Sequence, residues 1–401
     1  MTLERRNASK IANRGYGRKG IERHKHRGKY KKQLVMLAGI RFFHVTMSYD
    51  PTTDPAILAQ IRAHIDRSNA STTAETPTTP SYHRVADLTQ SRGEPLRIAY
   101  RDIPPSEGNH YYGTILFIHG FPLTSYQFRK VLPIFAGQGY RCIAPDYRGA
   151  GDSSKPPSDY RKTTMAADLI ALLDSLTITE AIHVVGVDIG GMIAFALSSR
   201  YPHRVKTVCW GECPLPGSKA YHRDMNESVR IVEQFHFVLH SIEDLPEALI
   251  AGKERLYINH FFSKQTHNLG ARTEADIDVY EKAYSQPGAM TAALNLYRAF
   301  STDAKENKDW VKQHTKSTVP TLALCGEYSR HRAETMETAL DVTDYYEVEL
   351  GMVENAGHYL PEENPQGFVN VVLGFLIREQ DRTPRSPVPE SSKGTTHIAS
   401  I

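Results

Sequence analysis

The sequence predicts an α/β fold built on a mostly parallel, eight-stranded sheet, and three observations carry that prediction. Short apolar runs recur at residues 114–118, 141–145, 182–187, 206–210, 321–325 and 346–350, apolar on nearly consecutive positions as strands buried on both faces are. Helical patterns separate them: in 163–176, Met165, Leu169, Ile170, Leu172 and Leu173 fall at helical spacing. Alternation of this kind reads as βαβ repetition. Between the sixth expected strand and the run at 321–325 the rhythm breaks, and residues 214–312 carry helical patterns without a good strand. A helical cap inserted after the sixth strand is expected there, opened by Pro214-Leu215-Pro216-Gly217.

The chain in order gives the following organisation. Residues 1–46 hold 13 Lys and Arg against Glu4 and Glu22, which leaves 35 basic and 43 acidic residues beyond them. The overall charge of +3 therefore hides a basic extension on a mildly acidic body. No nucleic-acid footprint is expected on that body. The extension reads as disordered, with a nuclear or nucleic-acid patch, or an organelle transit peptide, as the other readings of an Arg-rich, acid-poor start. Residues 47–93 read as a short helix at 56–67, a Ser/Thr/Pro linker and a first strand at 82–88; a second strand at 95–103 completes a hairpin-like start. Residues 94–213 and 313–380 form the two parts of the α/β core around the cap, with an amphipathic helix at 365–378. The tail, 381–401, is Ser/Pro/Thr-rich and reads as disordered.

Four cysteines, Cys142, Cys209, Cys213 and Cys325, fall in or beside expected core strands and read as small hydrophobes rather than a disulfide framework. No run reaches the roughly 18–20 apolar residues a spanning helix needs. A cytoplasmic protein is the expectation, a mitochondrial one the alternative.

Four pieces carry chemistry. The first is Phe117-Ile118-His119-Gly120-Phe121-Pro122, at the end of an expected strand, where Gly120 allows close backbone approach and the Phe121 N–H can face a developing oxyanion. His119 itself reads as a packed histidine. The second is Gly186-Val187-Asp188-Ile189-Gly190-Gly191, where glycines flank one reactive residue at a strand-to-helix turn. This is the G-x-S-x-G elbow with a carboxylate in the serine's place, and the Ile189 N–H is the second oxyanion donor. A carboxylate suits displacement at a saturated carbon, giving an alkyl ester that water then opens. The third is His358 in Ala356-Gly357-His358-Tyr359, after the last expected strand, where the base of the chain order nucleophile, acid, histidine belongs. The fourth is the acid that orients His358. Glu212 and Glu327 both stand at strand C-termini, and spacing alone leaves both open.

With these pieces in place, the set HGFP, DYRGAGDSS (146–154), GVDIGG and AGH resembles the epoxide hydrolase and dehalogenase branch of the α/β-hydrolase superfamily over about residues 90–378. The resemblance implies an aspartate that is alkylated and a histidine that activates water. Epoxide hydrolases of this type place the acid after the seventh strand, where this chain has Ser329; several dehalogenases place it after the sixth, where Glu212 stands. The resemblance therefore favours Glu212, with Glu327 in reserve. Leu294-Asn295-Leu296-Tyr297-Arg298 is similar to the tyrosine-bearing segment of epoxide hydrolase caps, which implies that the Tyr297 hydroxyl serves the epoxide oxygen. A second cap tyrosine is expected near 235–240; His236 stands there instead, as a donor or as packing. Haloalkane enzymes carry Trp after the nucleophile, where this chain has Ile189, and haloacetate enzymes carry arginines around the elbow.

The expected activity is hydrolysis of an apolar small-molecule epoxide by Asp188, His358, Glu212 and Tyr297, with Phe121 and Ile189 forming the oxyanion hole. The alternatives are a haloalkane or haloacid dehalogenase on the same Asp-His machinery and a non-catalytic small-molecule binding protein. No metal or organic cofactor and no membrane span is implied, and the sequence sets no oligomeric state.

Overall fold

The computed structural model describes residues 83–89, 95–314, 317–342 and 347–381. The expectations for 1–46, for the helix at 56–67, for the linker and for the tail beyond 381 lie outside the described residues. Eight strands form one sheet: β1 (His83–Thr89), β2 (Pro95–Ile103), β3 (Gly113–Ile118), β4 (Tyr140–Pro145), β5 (Ile182–Val187), β6 (Val205–Gly211), β7 (Thr321–Gly326) and β8 (Val348–Val353). Their spatial order is β1-β2-β4-β3-β5-β6-β7-β8. The hairpin β1/β2 is antiparallel and β2 meets β4 antiparallel, while every other neighbouring pair is parallel.

Helices α1 (Leu132–Gly137), α2 (Lys162–Ser175) and α3 (Ile189–Arg200) connect the first six strands. Eight more follow between β6 and β7: α4 (Lys219–Asn226), α5 (Ser228–Glu233), α6 (Phe235–Ser241), α7 (Leu245–Ile250), α8 (Glu254–Gln265), α9 (Glu274–Tyr284), α10 (Ala289–Arg298) and α11 (Phe300–Gln313). The chain ends its described part with α12 (Arg332–Val342), α13 (Leu360–Glu363) and α14 (Pro365–Asp381). The interval expected to lack strands thus holds helices alone among its described residues.

Consecutive apolar residues in the central strands serve two cores. Ile115, Phe117, Val185 and Val187 face a cluster with Phe128, Phe135, Phe368, Val372 and Phe375, from α1, α14 and the turn before α1. Leu116, Ile118 and Val184 face the other side with Leu169, Leu172, Ile193 and Leu197 of α2 and α3. That second cluster runs on without a break into Phe237, Phe261 and Tyr297 of the inserted helices. Burying both faces is what removes the period-two alternation from these strands.

The last strand corrects the sequence expectation. Residues 346–350 were expected as a doubly buried strand; β8 instead runs Val348–Val353, with only Gly351 and Val353 fully buried. It is the outer strand, paired only to β7, so alternate side chains face solvent. Gly351 stays in the ladder opposite Leu324 because β7 supplies its partners.

The parallel register brings strand ends together. Val187 lies opposite Gly211, Gly211 opposite Leu324, and Gly326 opposite Val353. The loops after β3, β5, β6, β7 and β8 therefore open at one edge, the edge where ligands gather in parallel α/β sheets.

Candidate active site

Asp188 sits between β5 and α3 with φ 57° and ψ −129°, a left-handed backbone that a non-glycine residue holds only when its surroundings fix it. Crowding explains the glycine beside it: a Cβ on Gly190 would lie 2.0 Å from the Ile118 carbonyl oxygen. The loop after β3 also presses in, and a Cβ on Gly120 would stand 2.5 Å from the Asp188 Cβ. This closeness lets two backbone donors reach one carboxylate oxygen. Asp188 Oδ1 accepts from the Ile189 N–H at 2.6 Å and from the Phe121 N–H at 3.0 Å. The second oxygen, Oδ2, stands 3.4 Å from His358 Nε2. The side chain retains 20 % exposure, which distinguishes it from the closed surroundings of its partners.

His358 follows β8 and is buried. Its Nδ1 lies 2.9 Å from Glu212 Oε2. Glu212 is fully buried at the end of β6, again with positive φ, and accepts from the Gly326 N–H at 2.7 Å and the Ser329 hydroxyl at 2.5 Å. Burial pushes the Glu212 carboxyl upward, and those donors together with His358 oppose it. At His358 burial favours the neutral ring, but the hydrogen bonds and charges of Asp188 and Glu212 outweigh it and lift the imidazole to about 9.

Of the two carboxylates that the sequence left open, the structure brings Glu212 to the histidine. Glu327 instead accepts the Asn355 N–H at 3.0 Å and braces the loop after β8. Ser329, at the position where the resemblance implied an acid, supplies a hydroxyl to the carboxylate that reaches in from the neighbouring strand.

The family described as the alpha/beta hydrolase fold matches residues 113–365. This chain belongs to that family. It is 30 % identical over 264 residues to a soluble epoxide hydrolase of Corynebacterium sp. (strain C12), an alignment covering 65 % of this chain and 89 % of that one. Epoxide hydrolase 4 of Mus musculus is 27 % identical, with 67 % and 74 % covered. Among solved structures, Cfl2 from Burkholderia cenocepacia matches with TM-score 0.64 at 29 % identity, over 75 % of this chain and 95 % of that one. The epoxide hydrolase CorEH matches with TM-score 0.63 at 28 % identity, over 74 % and 98 %. The chain is an α/β-hydrolase of the epoxide hydrolase-like branch, and a hydrolase enzyme.

In this α/β-hydrolase the inserted helices roof the carboxylate with aromatic rings. Phe121 is met edge-on by His240, Phe261, Tyr284 and Tyr297, with ring centroids 5.4–5.7 Å away. Tyr297 is buried, and its ring lies 5.5 Å from that of His236 and 4.4 Å from that of His240. Burial first and the Asp188 charge second hold its phenol well above the ordinary tyrosine range, so it keeps its proton. His236 is also buried, its Nδ1 has no partner among the described residues, and burial together with neighbouring cations and imidazoles keeps it neutral. His119, as expected, packs: it stacks on Tyr147 with centroids 4.0 Å apart.

Sequence reasoning missed how the His358 loop is held. Glu363 accepts the N–H groups of Gly357 and Tyr359, on either side of His358, each at 2.9 Å. The same carboxylate accepts the N–H groups of His267 (2.7 Å) and Asn268 (2.9 Å) from the insertion. The His358 N–H itself donates to the Gln265 carbonyl at 3.1 Å. The signal available was the acidic pair Glu362-Glu363 shortly after the Gly-His step. The four cysteines are unpaired and buried. Among the described residues no three His, Cys, Asp or Glu side chains are arranged to hold a metal ion, and no helix is long and apolar enough to cross a membrane.

Proposed function

We propose that this hydrolase opens apolar epoxides through an alkyl ester on Asp188. The observation that carries the reading is the division of labour between the two carboxylate oxygens: Oδ1 is held by two N–H groups, while Oδ2 stands free of them and beside His358. Oδ2 attacks an oxirane carbon, the carbon–oxygen bond breaks, and Tyr297 gives its proton to the departing alkoxide, with His236 as a neutral neighbour at the same spot. In the ester, Oδ1 is the carbonyl oxygen. Water adds at Cγ, and the negative charge that develops on Oδ1 meets the same Phe121 and Ile189 N–H groups. His358, its resting proton passed to the Tyr297 phenolate, takes one proton from that water and delivers it to the leaving diol oxygen; the other, left on the Asp188 carboxyl, returns to His358. Epoxide and water are consumed and a diol is released.

The charge of Asp188 sets the order of events. While it is present, His358 holds a proton and cannot act as a base near neutral pH. Esterification removes that charge, the imidazole pKa falls, its proton passes to the Tyr297 phenolate, and a base appears when water needs one. The aromatic lining supports an uncharged, apolar substrate. Arg148, buried in the core, is committed to Asp168, and beyond the place of the acid after the sixth strand no observation favours the dehalogenase reading.

The test is to trap the intermediate. A His358→Gln variant incubated with styrene oxide is expected to gain one substrate mass per chain, located on Asp188 by peptide mapping. In wild-type enzyme, one turnover in ¹⁸O-water should place the label in Asp188 rather than in the diol. A variant that stays unmodified at saturating epoxide, or label found directly in the diol, would sink the covalent reading.

A further inference from the structure

A buried lysine outside the site holds the helix corner from which Tyr297 projects. Lys162 is the first residue of α2, on the sheet side of the molecule, and is 3 % exposed. Its ammonium donates to the Leu296 carbonyl at 2.8 Å, to Asp303 Oδ2 at 2.8 Å and to the Tyr160 carbonyl at 3.3 Å. Its backbone N–H donates to Asp303 Oδ1 at 2.9 Å, and Nζ lies 4.9 Å from the centre of the Phe300 ring. Leu296 belongs to the last turn of α10, where carbonyls lack partners within the helix and a cation is favourable. Tyr297 is the next residue. Asp303 belongs to α11, and only Ala299 separates the two helices.

We propose that Lys162 is a positioning residue for Tyr297: by capping the end of α10 and pairing with Asp303 of α11, it fixes the corner from which Tyr297 packs against Phe121, whose N–H reaches Asp188. The inference rests on the reading of Tyr297 as proton donor. Neighbouring bonds hold the same corner: Arg161 donates to Glu306 at 2.8 Å and Thr163 to Glu306 at 2.7 Å, so losing the lysine should loosen the turn without releasing the helices. Proton transfer to a departing oxygen requires hydrogen-bond reach, and displacements of about 1 Å cost large factors in rate.

Alkylation of Asp188 by styrene oxide is measured by rapid quench and intact mass in the His358→Gln background. Lys162→Met leaves Asp303 buried without its cation and risks the fold, so Lys162→Met/Asp303→Leu, which removes both charges, is measured beside it, with thermal melts of each. The neutral pair is expected to slow alkylation at saturating epoxide about tenfold while half-saturation stays within about twofold. Added to Tyr297→Phe, it should slow alkylation by less than about twofold more, because the group it positions is gone. If Tyr297→Phe slows alkylation but the neutral pair does not, or if the pair costs the same factor in both backgrounds, the positioning role is wrong and the proton-donor reading stands. If Tyr297→Phe leaves alkylation unchanged, the donor assignment falls and takes this inference with it.

Discussion

Glu212→Gln tests the acid assignment most sharply, because the side chain is fully enclosed and every donor to it is known. The carboxylate receives Gly326 N–H on Oε1 and both Ser329 Oγ and His358 Nδ1 on Oε2. An amide of the same shape has two ways to fit. With its oxygen toward His358, its NH₂ meets the Gly326 N–H head-on, and two buried donors face each other at a cost of about 1–3 kcal/mol. With its NH₂ toward His358, the ring must place its proton on Nε2 and presents a donor, not a lone pair, to water. The first arrangement also trades a charged acceptor for a neutral one, about 1–2 kcal/mol less support for the imidazolium that forms in hydrolysis. Ester hydrolysis should therefore slow at least about tenfold, and far more if the second arrangement prevails. Alkylation, which does not use His358 as a base, should change by only a few-fold. Rapid quench with styrene oxide and intact mass separates the two rates: alkyl-enzyme should accumulate in Glu212→Gln and not in Glu327→Gln. A Glu212→Gln enzyme that hydrolyses its ester within twofold of wild type, or a larger loss in Glu327→Gln, would refute the assignment.

Two further outcomes follow from the charge balance at His358. Asp188→Asn removes one of the two carboxylates that lift the imidazole, so NMR titration of His358 in that variant should give a pKa clearly below about 9, and an unchanged value would mean that Glu212 alone sets it. Because the folded-state pKa is raised from the ordinary 6.5 to about 9, the stabilisation due to the protonated ring is complete below pH 6.5 and is lost as pH rises through 9, roughly 3 kcal/mol in all. Urea unfolding between pH 6 and 10 should show that decline, and it should be smaller in His358→Gln.

What the sequence made legible, and what it hid, divides along physical lines. β5 was bounded correctly at Ile182–Val187 because burial on both faces leaves an unbroken β-branched run ended by a glycine-flanked turn. Asp188 and His358 were legible for a related reason: each follows a strand at the edge where parallel strands end, and local signals mark both turns. Choosing between Glu212 and Glu327 was not possible from position, since β6 and β7 are neighbours and both residues leave the sheet at the same edge. The choice lies in a left-handed backbone at Glu212 and in a single Asn355 N–H that engages Glu327, neither of which has a sequence period. Lys162 and Glu363 were hidden for the same reason. Their partners lie 134–141 and 90 or more residues away for Leu296, Asp303, His267 and Asn268, and a helix-starting Lys or an acidic pair ordinarily faces water.

The two halves of the proposed reaction map onto two parts of the chain, and this makes the scheme separable by experiment. Nucleophile, base, acid and both oxyanion donors come from loops at the sheet edge, so damage there should appear in ester hydrolysis or abolish alkylation outright. The proton for the opened epoxide comes from α10, so damage to Tyr297 or its anchors should appear first in alkylation. Glu363 and Gln265 cross that division, each tying the insertion to the backbone around His358. A shift of the insertion would then displace donor and base together, because one carboxylate holds N–H groups from both sides. Correct spacing between the phenol and the imidazole is consequently a property of the hydrogen-bonded seam between the two parts, and it would be lost by loosening the seam even where every reacting side chain is intact.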